Sequence, residues 1–246
     1  MTSYKMQFGS YVFPATIRPD GSSPSMELAE QERPRAPGAT YQTGRLKSLV
    51  LSCRGELSDP DPATLLALYD DFKAGVSAGV QQLWMGRDDR YWLAQIEGIT
   101  DSATDGQTWG SFIAVAANFR ASDPQAWAAT STTVTGLGAG GTVTTVGSGV
   151  MQPAWSVTIG TSGVNVVTLA NTTTGEVATV TGTFASGDVI ILDRSGVLMT
   201  VTWNGTPSFG IFDGIIPQLV AGANTITCGA TLGTVTMSVT YTERFV

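Results

Sequence analysis

Near the end of the sequence, residues 234–242 alternate strictly between polar and apolar. In "TVTMSVTYT", Val235, Met237, Val239 and Tyr241 fall on one face of an extended chain, and Thr234, Thr236, Ser238 and Thr240 fall on the other. A strand with one buried and one wet face is what an antiparallel sheet requires. The stretches "WSVTIG", "VNVVTLAN", "EVATVTGTFA", "DVIILD", "VLMTVTW" and "NTITC" upstream are further strand candidates. Turn signals separate them at Thr161-Ser162-Gly163, Thr174-Gly175, Ser186-Gly187, Ser195-Gly196 and Asn204-Gly205. That spacing predicts an all-β sandwich over 151–246.

The first half mixes periods. "YKMQFGSYVFP" predicts a short strand ending at Pro14. Residues 18–44 are polar, with Pro at 19, 24, 34 and 37 and Gly at 21, 38 and 44. This is too long for an ordinary turn and reads as an arm. "RLKSLVLSCRGEL" (45–57) returns to strand character, with Leu46, Leu49, Leu51 and Cys53 as the positions it buries. Leu65, Leu68, Tyr69, Phe72 and Val76 recur at helical spacing, with Asp61 as N-cap and Pro62 in the first turn. They predict one helix over about 62–78. A hairpin turning at Gly86-Arg87-Asp88-Asp89 follows, and "WGSFIAVAANFRASDP" reads as the strand that closes a first domain over 1–130. The uncharged, Gly-rich "STTVTGLGAGGTVTTVGSGV" (131–150) reads as a linker and the start of the second domain, or in part as an edge strand. The fold class expected is mainly β: an N-terminal β-sandwich or barrel-like domain with one α-helix and an extended arm, then an antiparallel β-sandwich.

Composition narrows the function. The net charge is -7, with 13 basic residues among 246, so phosphate neutralisation is a poor source of affinity. Sequence-specific nucleic-acid binding and an anionic membrane surface are therefore not expected. The N-terminus shows no secretory pattern, and no stretch approaches the ~20 apolar residues of a membrane span. The chain has no histidine and two cysteines, Cys53 and Cys228. Histidine-based triads, histidine metal sites and a structural zinc site are excluded within it, and the cysteines read as reduced and buried.

Candidate chemistry is sparse. Asp188 and Asp193 stand five apart, so strand parity sends them to opposite faces and Asp188 reads as a turn cap. "RDDR" (87–90) reads as a solvated hairpin tip. "GLGAGG" (136–141) echoes a dinucleotide loop without a strand-turn-helix unit around it. Trp155, Trp203 and Phe209 are either core residues or an aromatic platform for a sugar ring, with Trp155 and Trp203 as the candidate ligand contacts. "NTT" (171–173) and "NGT" (204–206) match the glycosylation pattern, which means little without a secretory signal. No catalytic residue, cofactor or metal is expected, and an enzyme acting on glycans would need two converging carboxylates that the second half does not offer.

The order of these motifs resembles the siphophage distal tail proteins. "FGSYVFP", a polar arm, a strand-helix-hairpin domain and "VAANFRASDPQAW", with Phe119, Asp123, Pro124 and Trp127, are similar to that family's first domain. "TIGTSGVNVVTLANTTTGEVATVTGTFASGDVIILD" and "LVAGANTITC" resemble its galectin-like second domain. The resemblance implies a structural virion protein without enzymatic activity. It implies a hexameric ring at the tail tip, in the virion, assembled in the host cytoplasm. Its partners would be the tail tube, the hub, the tape measure and receptor-binding proteins, with the arm clasping a neighbouring subunit. The alternative expectation is a glycan-binding sandwich for attachment to a host surface.

Overall fold

The computed structural model describes residues 5–27, 30–32, 39–41, 45–102, 111–196 and 198–246. The chain divides into two compact units, Met1–Ala129 and Thr130–Val246.

In the first unit the strands are β1 (Met6–Phe8), β2 (Tyr11–Val12), β3 (Arg18–Glu27), β4 (Glu30–Glu32), β5 (Ala39–Tyr41) and β6 (Arg45–Ser58). The helix α1 (Pro62–Val76) follows, then β7 (Gln81–Met85), β8 (Arg90–Asp101), β9 (Phe112–Ala121) and β10 (Ala126–Val134), which runs on into the second unit. The sheet order is β2–β1–β7–β8–β9–β6–β3, all antiparallel, with the start of β10 also on β8.

Alternation in β6 and β9 sends Leu51, Cys53 and Leu57, with Ile113, Val115, Ala117 and Phe119, to one face. Helix α1 covers that face with Leu65, Tyr69, Phe72 and Val76, while Leu68 is only half-buried. Its start is fixed as the sequence suggests. The Asp61 carboxylate accepts the backbone N–H groups of Ala63 and Thr64, and Pro62 opens the first turn. At the other end Ser77 closes the helix on the Lys73 carbonyl, two residues short of the expected exit.

Two expectations for this unit change. The strand predicted up to Pro14 is a hairpin of β1 and β2, because Gly9 at φ 57 turns the chain back. The polar stretch 18–44 is regular where it is described. β3 pairs with β6 from Arg18↔Arg54 to Glu27↔Arg45, with bulges at Pro19/Gly21 and Ser25/Met26, and β4 pairs with β5. An edge strand draws its hydrogen bonds from one neighbour, so β3 needs no apolar face of its own and tolerates Pro19 and Pro24. Residues 28–29, 33–38 and 42–44 of the arm, and the Leu46 side chain, lie outside the described residues. Leu51 and Cys53 are buried and Leu49 is half-buried.

The second unit contains β11 (Gly140–Thr145), β12 (Ala154–Ile159), β13 (Val164–Asn171), β14 (Glu176–Phe184) and β15 (Val189–Asp193). It continues with β16 (Thr200–Trp203), β17 (Thr206–Pro207), β18 (Phe212–Gly214), β19 (Gly222–Ala230) and β20 (Val235–Phe245). One sheet runs β17–β16–β15–β12–β20, with the end of β10 beside β20. The other is five-stranded, β11–β19–β13–β14–β18. Val235, Met237, Val239 and Tyr241 are buried as their alternation predicts, in one core with Trp155, Val157, Ile159, Leu169, Val180, Phe184 and Ile226. On the outer side of β20, hydroxyls pair across to β10, Ser131 with Thr242 and Thr133 with Thr240.

The stretch 131–150 is built into this unit rather than strung as a linker, and residues 140–145 form the edge strand of the second reading. β11 pairs with β19 from Gly140↔Thr227 to Thr145↔Gly222, and Val143 is buried in the core. A single apolar residue among glycines and threonines is enough for an edge strand, and composition alone does not display it. Of the "GLGAGG" glycines, Gly136 at φ 72 and Gly138 at φ 54 turn the chain before β11, and Gly140 and Gly141 begin the strand.

Candidate functional site

Three places could carry function: the aromatic residues of the second unit, its carboxylates, and an open groove in the first.

The aromatic platform does not assemble. Trp155 on β12 has no exposed surface, and its indole N–H donates to the Pro217 carbonyl at 2.9 Å. It is a core residue with a satisfied polar tip, and no face is left for a ligand. Trp203 closes β16 half-buried, edge-on to Phe184 with ring centroids 5.2 Å apart. Phe209 is 53% exposed in a short 3-10 turn and touches Phe212.

Trp203 belongs instead to a polar corner. Its indole N–H donates to Asp188 Oδ2 at 3.0 Å. Asp188 also accepts from the Ala185 backbone N–H at 2.9 Å and from Asn204 Nδ2 at 2.8 Å. Asn204, at φ 48, returns the contact by accepting the Val189 N–H on its Oδ1 at 2.8 Å. The Asn204 amide, then the Ala185 and Trp203 N–H groups, hold the Asp188 carboxyl below the usual carboxylate range. All these contacts tie one strand connection to the next, which is the turn-cap role expected of Asp188. Asp193, at the far end of β15, accepts the Ser195 backbone N–H and hydroxyl and caps its own turn. Thus the two acids of one strand serve two separate turns and do not converge.

Several other charges are similarly occupied. At the hairpin tip Asp89 receives two hydrogen bonds of 2.7 Å from Arg87. Glu176 accepts from the Gln218 backbone at 2.7 Å and lies 3.6 Å from Arg194, whose guanidinium donates to the Ile216 carbonyl. Glu243 is buried, and its carboxylate accepts the N–H groups of Val146 at 3.0 Å and Gly147 at 2.7 Å. Among the described residues no group of three His, Cys, Asp or Glu could hold a metal ion. Cys53 and Cys228 are free and buried, and burial pushes each thiol up from 9.0 to about 11.

Asn171, first residue of the "NTT" pattern, is buried, with its amide on the Gln218 carbonyl and Asn224. Sequence reasoning missed its role, and that of Asn224, as the polar pins of the core. The only available signal was an asparagine at an inward strand position.

In the first unit an open groove of about 860 Å³ lies across β3, β6, β9 and β8. Ala114 and Ala116 form part of its lining, between Arg54 and Glu56 on one side and Thr100 and Ser102 on the other. Asp20 pairs with Arg54 at 2.9 Å beside it.

Residues 146–245 match the family described as siphovirus-type tail component, C-terminal domain. Over its whole length the chain has the fold of SPP1 Dit, with a TM-score of 0.74, 17% identity and 99% of both chains covered. That crystal structure is described as a paradigm of hub adsorption apparatus in Gram-positive infecting phages. Baseplate structures of phage p2 in its activated conformation are more distant. The calcium form has a TM-score of 0.45, with 10% identity over 100% of both chains. The strontium form has a TM-score of 0.41, with 9% identity over 98% of both. No curated protein sequence matches. The resemblance to siphophage distal tail proteins read from the sequence is thus shown, in the second unit by sequence and over the whole chain by fold.

Proposed function

We propose that the chain is a distal tail protein, a structural component without catalysis that forms a hexameric ring at the phage tail tip. In this reading the ring joins the tail tube to the hub and the receptor-binding apparatus, with the tape measure as a further neighbour. The protein works in the virion after assembly in the host cytoplasm. The observation that carries the reading is the SPP1 Dit fold across 99% of the chain, and the tail-component family over residues 146–245 supports it independently.

Two physical features agree. Ordering the polar stretch 18–44 costs entropy, which docking on a neighbouring subunit would offset. A ring of identical subunits supplies the same heterologous contact to every arm. The net charge of -7 suits a channel through which DNA passes without adhering. The second unit, galectin-like in the family resemblance, would project outward.

The test is mass in solution by light scattering, with negative-stain imaging. A six-fold ring is expected. A strict monomer that captures sugars on a glycan array would replace this reading with the attachment-module one. Replacing residues 28–44 with a two-residue turn between the paired Glu27 and Arg45 leaves β3 on β6; it should weaken the ring while both units still fold, and unchanged assembly would count against the arm.

A further inference from the structure

Asn204-Gly205 is the one Asn-Gly step in the sequence. The other asparagines, Asn118, Asn165, Asn171 and Asn224, precede Phe119, Val166, Thr172 and Thr225. An Asn-Gly step is chemically labile because glycine leaves its backbone nitrogen unhindered to approach the preceding side-chain amide carbon. Both residues are exposed, at φ 48 and 77, in the tight turn between β16 and β17. A Cβ at Gly205 would meet nothing within 4 Å, so no packed neighbour shields the step.

The Asn204 amide is nevertheless held at both ends. Its Nδ2 donates to Asp188 at 2.8 Å and its Oδ1 accepts from Val189 at 2.8 Å. To fold back on the Gly205 nitrogen the amide must break both bonds. One of them runs to an ionised acceptor and is of the stronger kind.

We propose that Asn204 is a site of spontaneous deamidation gated by Asp188: the clasp slows the reaction, and the product cannot remake the clasp. The Gly205 backbone nitrogen gives its proton to solvent base and bonds to the Asn204 side-chain carbonyl carbon. The carbon–nitrogen bond of the side-chain amide breaks, and the nitrogen leaves as ammonia with a proton from water. A second water opens the resulting succinimide at either carbonyl, giving aspartate or isoaspartate. Water is the only co-reactant.

Either product unlocks the corner. A carboxylate at position 204 has no N–H to give Asp188, and two like charges then meet at hydrogen-bond distance. Isoaspartate also lengthens the backbone of a turn whose flanking residues, Trp203 and Thr206, pair directly. The corner that holds the Trp203 indole is lost with it.

The experiment is peptide mass mapping of the whole chain after incubation at mildly alkaline pH. Three arms are compared: folded wild type, wild type in urea, and folded Asp188→Ala. In urea the first conversion is expected at Asn204, ahead of the other four asparagines. Folded wild type should convert more slowly than the unfolded chain. The Asp188→Ala protein should convert about tenfold faster than folded wild type, the change in open population expected on losing one hydrogen bond to a charged acceptor. First conversion elsewhere, equal rates in folded and unfolded wild type, or no acceleration in a folded Asp188→Ala protein would each overturn the proposal. The wild-type comparison stands even if the variant does not fold. An Asn204→Asp variant should melt at lower temperature than wild type, and an unchanged melt would exclude the loss of the clasp.

Discussion

Asn224 has no exposed surface, yet it carries an amide into the core of the second unit. It pays for that with a full set of partners: Nδ2 donates to the Val220 and Gly222 carbonyls at 2.8 and 3.1 Å, and Oδ1 accepts from the Val220 N–H and from Asn171. Asn224→Ala would strand several of these groups without water. A loss of about 3 kcal/mol is expected, measured as a shift in the urea midpoint. The buried thiols make a different residue-scale prediction. Cys53 and Cys228 titrate near 11 when folded, against 9.0 ordinarily, so the native state keeps protons that the unfolded chain releases. Their contribution is complete below pH about 9 and is lost as pH rises toward about 11. Tyr11, Tyr69 and Tyr241 are shifted upward too, chiefly by burial, and add to the alkaline loss. Urea titrations across that range should show falling stability, with a shallower fall in a Cys53→Ala/Cys228→Ala protein. Near neutral pH a thiol reagent should label neither cysteine until the protein unfolds.

At the scale of elements, close approach sets the tolerances. A Cβ on Gly55 in β6 would overlap the Thr16 carbonyl oxygen and stand 2.6 Å from the Ile17 Cα, both backbone. Gly55→Ala should therefore cost about 2 kcal/mol. Gly98→Ala in β8, where a Cβ meets nothing within 4 Å, should stay within about 0.5 kcal/mol of wild type. A paired chemical-denaturation series checks both, and equal effects would refute the role given to the Gly55 crossing. The same elements show what pattern can and cannot reveal. Helix α1 was legible because an apolar stripe, a capping aspartate and a proline agree, and β20 because its alternation is unbroken from Val235 to Thr242. β3 was not, because an edge strand takes its order from a neighbour, and β11 was legible only as the second reading of its stretch. β3 carries two prolines, and β11 commits one side chain, Val143, to the core. Asp188 was legible as a turn cap through the glycine before it. Its bonds to Trp203 and Asn204 were not, since they join residues on two different connections. Trp155 looked the same in sequence as Trp203, and only the sheet register separates the buried ring from the half-buried one.

For the whole molecule, the decisive question is where one folding unit ends and the next begins. The core of the second unit is lined from Val143 to Tyr241, and Leu137 packs against it, so the segment before residue 151 is part of what makes this unit stable. Three further contacts depend on that segment. The Thr145 hydroxyl donates to the Val220 carbonyl at 2.8 Å, the Tyr241 hydroxyl reaches the Thr144 carbonyl, and Val146 and Gly147 supply the two N–H groups on the buried Glu243 carboxylate. Cutting at 151 removes a buried valine, opens the edge of β19 and leaves a buried charge without its donors. Those losses together should amount to about 4 kcal/mol or more, a large share of the stability of a domain this size. A fragment of residues 130–246 should therefore melt cooperatively and give a dispersed amide spectrum. A fragment of residues 151–246 should melt far lower or remain insoluble. If the two fragments melted alike, the stretch 131–150 would be a linker after all, and the tail-component domain would be complete without its first strand.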